Sequence, residues 1–288
     1  MDDRAFAPTS GVVTLLTDFG MADGYVAAMK GVILAINRSA VLVDVTHEIA
    51  PQDIRGGAFV LSTVHRYFPK RTVHLAVVDP EVGTSRAGVI LDTVDALFVA
   101  PDNGILSYLL VGEGVSADRG PAALDISGTV QVTVPDGWRA VQITESSYWL
   151  DNPSNTFHGR DVFAPVVAHL SLGEPIDSFG PPVDSLRAFQ IPIARRSPDG
   201  GIEGTVLHVD RFGNLVTSVK AQDLPKGEPV LEIGGHHIHG LVRTYAEGSG
   251  LIALIGSSGY LEVALPGGSA AHYTGLGLDA QVRILPRK

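Results

Sequence analysis

In the stretch VVDPEVGTSR, Asp79 and Arg86 stand seven residues apart with Pro80, Gly83 and Thr84 between them. Pro and Gly favour a tight loop, so its two ends come back together. A carboxylate and a guanidinium held in this way can pair through two parallel hydrogen bonds. Such a pair is either a structural salt bridge or a reactive carboxylate fixed by its partner. A second stretch, NPSNTFHGRDVFAP, sets His158 between Phe157 and Gly159, just ahead of an apolar helical run. Imidazole is suited to proton transfer near neutral pH, and Gly159 lets a ligand approach the backbone closely. The plainer alternative is a capping loop with Asp161 at the helix start.

Asp18 belongs to a third stretch, LLTDFGMADGY. In protein kinases an Asp-Phe-Gly triplet holds magnesium, but that chemistry needs a Gly-rich loop, a strand lysine and a catalytic loop upstream. Only 17 residues precede Asp18, so the kinase reading is discarded. Asp18 or Asp23 could cap the helix that follows. Alternatively, Asp18 lies at the carboxyl end of a central parallel strand, where open α/β sheets bind ligands. Its two oxygens would then suit two vicinal hydroxyls, with Phe19 and Gly20 serving the turn alone.

Further along, Asp210 and Asn214 in VDRFGNLVTS flank a turn containing Gly213, which needs Gly and Asn for backbone reasons alone. In GSSGYLEVAL, Ser257, Ser258 and nearby backbone N–H groups could receive a carboxylate, and Glu262 an ammonium. HHIHG resembles a metal site, but on a strand only His237 and His239 share a face. With no third ligand apparent, no metal is expected. GGIEG and GEGV lack the strand–GxGxxG–helix context of a dinucleotide site.

The elements that must position these residues are legible from hydrophobic period. VVTLLT (12–17), AVLVDVT (40–46) and TVHLAVVD (72–79) read as strands, the last delivering Asp79 at its end. Between them lie two helices, DGYVAAMKGVILAIN with Tyr25, Met29, Val32, Ile33 and Ile36 at helical spacing, and GGAFVLSTVHRYF (56–68). This alternation predicts a parallel sheet with helices on its faces. AGVILDT and DALFVAPDNG form a hairpin, and VFAPVVAHLSLG (162–173) another helix. Segment 112–150 is poorly patterned, with a possible hairpin in VQVTVPDGWRAVQIT turning at Asp136-Gly137. Composition shifts at PIARRSPDGG (192–201), which divides an α/β domain over 1–192 from a domain over 201–288. The latter holds only short strands (GTVLHVD, LVTSVK, PVLEI, HHIHGLVRTYA, LIALIG, YLEVAL, QVRILP) and reads as a small all-β barrel.

Composition narrows the function classes. Of 288 residues 45% are hydrophobic and 18% charged, which suits a folded chain with a large core. The net charge of −10 argues against nucleic acid or an anionic membrane as partner, since both call for basic patches. No apolar run approaches a membrane span, and the start of the chain does not read as a signal peptide. There are no cysteines, so disulfides, Cys–zinc sites and Cys nucleophiles are ruled out. A cytoplasmic location is the plain expectation.

Taken in order, LLTDFGMADGYVAAMKG, VDVTHEIAPQDI, VVDPEVGTSR, VAPDNG, TFHGRDVFAP, DRFGNLVT and SSGYLEVA resemble one family across nearly the whole chain. This family is the S-adenosyl-L-methionine (SAM) hydroxide adenosyltransferases, or SAM hydrolases, relatives of the SAM-dependent fluorinase and chlorinase. The resemblance implies an N-terminal α/β domain plus a C-terminal β-barrel, in a homotrimer with SAM bound between neighbouring subunits. It implies hydrolysis of SAM to adenosine and L-methionine by attack of water on C5′, with no metal or other cofactor. Asp79, Arg86 and His158 resemble the hydrolytic triad, and Asp18 the ribose anchor. Phe157 resembles the aromatic packed near the ribose, Asp210 and Ser257 the groups on the methionine moiety, and Asn214 an adenine or ribose contact. The halogenating relatives lack the Asp and His of the triad, and the fluorinase carries Ser where this chain has Gly159 and has an inserted loop absent here. Departures from the hydrolases are Glu81, in a loop that is usually DPGVG, and a longer 112–150 segment. A halogenase and a non-catalytic SAM or adenosine sensor are the two competing readings.

Overall fold

In the computed structural model, residues 9–111 and 128–286 are described. Part of the poorly patterned 112–150 segment thus lies outside the described residues. The chain divides into two compact units, Met1–Ile191 and Pro192–Lys288.

The first unit runs β1 (Val12–Thr17), α1 (Tyr25–Ile36), β2 (Val41–Thr46), α2 (Ile54–Val64), β3 (Thr72–Val77), β4 (Gly88–Asp92), β5 (Ala96–Pro101), α3 (Ser107–Val111), β6 (Thr129–Thr133), β7 (Arg139–Gln142), α4 (Ala164–Ser171) and β8 (Ser185–Phe189). Its six-stranded sheet has the order β2-β1-β3-β5-β4-β7. The first four strands are mutually parallel, and β4 and β7 are antiparallel additions. Strand side chains alternate between two apolar layers. Val13, Leu15, Val73, Leu75 and Val77 face Met29 and Ile33 of α1 and Val166, Val167 and Leu170 of α4. Leu16, Ala76 and Val78 face Ala58 and Leu61 of α2 and Leu110 of α3. Each such fully buried Val or Leu contributes about 1.5–3 kcal/mol, which is why β1 and β3 are rich in apolar residues on both faces.

Several expectations change here. α1 is preceded by Gly24 with no side-chain cap, so neither Asp18 nor Asp23 caps it. Val26 is buried in α1, whereas Tyr25 is 48% exposed. α2 begins at Ile54 because Asp53 caps it, accepting from the Gly56 N–H at 2.8 Å. β3 ends at Val77, so Asp79 lies two residues beyond the strand. The hairpin expected around Asp136-Gly137 does not form. The turn is present, but β6 pairs with β8 in a separate two-stranded sheet while β7 pairs with β4. A local turn signal cannot reveal that its flanking strands find partners elsewhere.

His74 sits within β3 with no exposure, stacked on Phe98, its Nδ1 2.7 Å from Thr14 Oγ1. Burial, reinforced by His65, pushes its pKa down to about 3 from 6.5. Between pH 6.5 and 3 the unfolded chain binds the proton that folded His74 refuses. Stability should therefore fall with acidification by up to about 1.4 kcal/mol per pH unit from this group. Denaturant unfolding at stepped pH checks this, and H74Q should flatten the profile.

The second unit runs β9 (Arg195–Arg196), β10 (Ile202–Val209), β11 (Leu215–Lys220), β12 (Pro229–Ile233), β13 (His236–His239), β14 (Ile252–Ile255), β15 (Tyr260–Ala264), α5 (Ala270–Thr274) and β16 (Gln281–Pro286). Its antiparallel sheet has the order β13-β12-β16-β10-β11-β15-β14, with β9 added beside β10. The edge strands β13 and β14 return into contact, so the sheet is barrel-like and nearly closed. Val206, Leu215, Leu231, Leu261 and Ile284 fill its interior. The expected long strand HHIHGLVRTYA stops at His239, and a short α5 appears where no helix was expected. Among the described residues no helix is long and apolar enough to cross a membrane.

Candidate active site

β3 ends against the sheet's carboxyl edge, and the chain then loops through 79–86 before entering β4. Internal bonds shape this loop. The Val82 N–H donates to Asp79 O at 3.3 Å, and the Thr84 hydroxyl to Glu81 O at 2.7 Å. Gly83 has φ +79°, and a Cβ there would lie 2.4 Å from Asn155 O, so only glycine permits this approach. The loop brings Arg86 back to Asp79. Arg86 Nε donates to both carboxylate oxygens at 2.9 and 3.0 Å, and Nη2 donates to Oδ2. Both side chains are about 5% exposed or less, and the guanidinium lies 5.1 Å above the Phe163 ring.

His158 comes from the other side, at the entry to a π-helical turn (Gly159–Phe163) that continues into α4. Its Nδ1 stands 3.1 Å from Arg86 Nη2. Arginine can only donate, so Nδ1 accepts and neutral His158 carries its proton on Nε2. Burial lowers the His158 pKa, and the Arg86 charge lowers it further, against the pull of Asp79 and Asp161. Asp161 does not cap the helix. It accepts from the Ser154 N–H at 2.8 Å and pairs with Arg160.

A pocket of about 410 Å³ opens over this group, with Asp79, Val82, Phe157, His158, Gly159 and Arg160 in its lining. Phe19 and Tyr25 also line it and form with Phe157 three mutual edge-on or tilted contacts, centroids 5.1–5.9 Å apart. Phe19 is thus a wall of the pocket and not merely a turn residue. The signal available in sequence was an aromatic beside each of the carboxylate and imidazole motifs. Arg160, over the Phe157 ring at 5.0 Å, was likewise missed. Glu81 turns to Arg187 at 3.4 Å, so its departure from the usual loop residue leaves the Asp79–Arg86 pair intact. Asp18 lies just before Phe19. One of its oxygens accepts from the Gln52 N–H at 2.7 Å, and among the described residues the other accepts none.

In the second unit Asp210 closes its own turn. Oδ1 accepts from the N–H groups of Phe212 and Asn214, and Oδ2 from Asn214 Nδ2 at 2.9 Å. Glu262, 7% exposed, accepts from the Tyr245 hydroxyl at 3.0 Å. A Cβ on Gly256 would fall 1.6 Å from its Oε1, so the carboxylate lies directly against the turn that carries Ser257. Burial raises the Glu262 pKa, and Asp210 raises it further although the Tyr245 hydrogen bond opposes both. Tyr245 itself is pushed up to about 12, chiefly by burial. Among the described residues neither Asp210 nor Glu262 is in an ion pair, and two carboxylates close enough to influence one another are poised to receive a positive group. Ser257 is exposed at the β14–β15 turn. His237 lies 3.5 Å from Glu232, and among the described residues no group of three potential ligands is placed to hold a metal ion.

An α/β unit with a carboxylate–guanidinium–imidazole pocket, followed by an antiparallel β unit, is an architecture that sequence comparison places. Residues 13–180 match the SAM hydroxide adenosyltransferase N-terminal domain, and residues 204–283 match the C-terminal domain. The chain belongs to the SAM hydroxide adenosyltransferase family. It is 36% identical over 278 residues to an (R)-S-adenosyl-L-methionine hydrolase of Salinispora arenicola, covering 94% of this chain and 97% of that protein. A second (R)-S-adenosyl-L-methionine hydrolase, from Thermus thermophilus, is 37% identical, with 95% and 99% covered. A crystal structure of an uncharacterized conserved protein from Thermotoga maritima superposes with a TM-score of 0.79 at 30% identity, covering 95% of this chain and all of that one.

Proposed function

We propose that this protein hydrolyses SAM to adenosine and L-methionine by in-line attack of water on C5′. The observation that carries the reading is the hydrogen-bonded Asp79–Arg86–His158 group, of which Asp79 and His158 line an aromatic-walled pocket. The relatives' activity supports it. The leaving group is a sulfonium, which departs as a neutral thioether without protonation. The task left to the protein is to orient a water and take its proton. The O–C5′ bond forms as the C5′–S pair returns to sulfur. Arg86 occupies the lone pair of His158 Nδ1, so His158 orients the water by donation from Nε2–H. Asp79 keeps acceptor capacity beyond the three contacts Arg86 makes and takes the proton. A carboxylate in that position also repels a halide, which disfavours the halogenase reading.

Asp18 binds the ribose 2′ and 3′ hydroxyls and Phe157 packs beside the ribose. Asp210, Glu262 and Ser257 hold the methionine ammonium and carboxylate, and Asn214 contacts the nucleoside. The assembly is a homotrimer with active sites shared between subunits. It is cytoplasmic and needs no cofactor, because the sulfonium supplies its own positive charge. The test is incubation with SAM in chloride-containing buffer and chromatography of the products. Adenosine and methionine in equal amounts support the reading, and no turnover or 5′-chloro-5′-deoxyadenosine overturns it. EDTA should leave the rate unchanged.

Two further outcomes are expected. Asp18→Ala should raise KM for SAM about 30-fold, the equivalent of about 2 kcal/mol for hydrogen bonds to a charged acceptor, with kcat little affected. The pH profile of kcat/KM should fall on the acid side with an apparent pKa below 6.5. Protonating His158 would set an imidazolium against Arg86 and remove the Nδ1 acceptor.

A further inference from the structure

His47 is 3% exposed and is used by none of the steps above. It lies one residue beyond β2, facing the turn that carries Asp18 and Phe19. Its Nδ1 is 2.8 Å from the hydroxyl of Thr17, which is wholly buried. That same hydroxyl accepts from the Phe19 N–H at 3.3 Å. The His47 backbone carbonyl accepts from the Gly20 N–H at 2.8 Å. On the other side of the ring, Nε2 stands 3.0 Å from Asp44 Oδ1. This contact lacks the alignment of a hydrogen bond, but it is close enough for a carboxylate to favour the proton on Nε2. Nδ1 is then left to accept the Thr17 proton. Asp44 is in turn held by Lys30 at 2.6 Å.

The Asp18-Phe19-Gly20 turn is therefore fastened at both ends. Thr17 before it is tied to the His47 side chain, and Gly20 at its end to the His47 carbonyl. Between them Asp18 leans on the Gln52 N–H. A buried hydroxyl without its partner is costly, and Thr17 would seek another by rotating, which releases Phe19 N–H as well.

We infer that His47 is a positioning residue for substrate binding, acting through Thr17 to set the turn that presents Asp18 and Phe19 to the nucleoside end of the ligand. The inference rests on the proposed ribose-binding role of Asp18. It places His47 in ground-state binding and away from the attacking water, so the two kinetic constants should separate.

The experiment is steady-state hydrolysis of SAM by H47A, H47N, D18A and the D18A/H47A double variant, with Tm measured for each. H47A should raise KM roughly tenfold with kcat within about twofold. H47N, whose amide can reach Thr17 where Nδ1 did, should restore most of the loss. The double variant should match D18A alone, because His47 acts through the same turn. A lowered Tm with unchanged KM in H47A, or fully additive effects in the double variant, would overturn the inference. A wild-type KM in D18A would overturn the ribose reading and this one with it. A raised KM in D18A beside a wild-type KM in H47A would overturn this one alone. Should H47A not accumulate as folded protein, D44N carries the test, with a few-fold rise in KM supporting the inference and an unchanged KM overturning it.

Discussion

Asp79→Asn should lower kcat for SAM hydrolysis by about 100- to 10,000-fold while leaving SAM affinity within a few-fold of wild type. The range is that of a lost general base. Asparagine keeps the shape and one acceptor for Arg86, so the loop from Asp79 to Arg86 is retained and the effect falls on chemistry. Alanine is a poorer probe, because it would strand a guanidinium that is 4% exposed and confuse activity with stability. Single-turnover kinetics with isothermal calorimetry for SAM separates the two. A variant that loses affinity in proportion to rate would mean that Asp79 holds substrate and does not activate water.

Arg86→Met should be destabilising as well as inactive. It leaves the Asp79 carboxylate, itself 5% exposed, without the three contacts that compensate its burial. Breaking a buried ion pair from one side costs about 3–5 kcal/mol, which corresponds to a fall in Tm of roughly 10 °C for a unit of this size. The apolar pair D79L/R86M removes both charges, and Met can rest on the Phe163 ring that now carries the guanidinium. That double variant should recover most of the stability and none of the activity. Thermal unfolding of the three proteins decides the matter. Equal Tm values for wild type and R86M would show that the pair is not the buried anchor inferred here.

Much of this was legible because the relevant signals are local or periodic. β1 and β3 are apolar on both faces, which only a covered parallel strand tolerates. The Asp79–Arg86 loop announces itself by Pro80 and Gly83, and its closure follows from turn chemistry. What the sequence could not reveal depends on distant partners. The Asp136-Gly137 turn looks like a hairpin, yet β6 pairs with β8 more than fifty residues on in the chain. Phe19 reads as a turn residue until Tyr25 and Phe157 are seen beside it. Asp161 reads as a helix cap until Arg160 and the Ser154 N–H are found to occupy it. His158 could be placed near the chemistry, but its tautomer depends on Arg86 approaching from 72 residues away. His47 carried no signal of its own, since its role comes from Thr17 on the neighbouring strand.

The central claim is that a water molecule positioned by Asp79 and His158 displaces methionine at C5′. Its most direct test is turnover of SAM in 18O-labelled water, with mass spectrometry of the adenosine formed. The account predicts one 18O atom, carried at the 5′ position of the ribose, and unlabelled methionine. Adenosine without label, or label found in methionine, would contradict it.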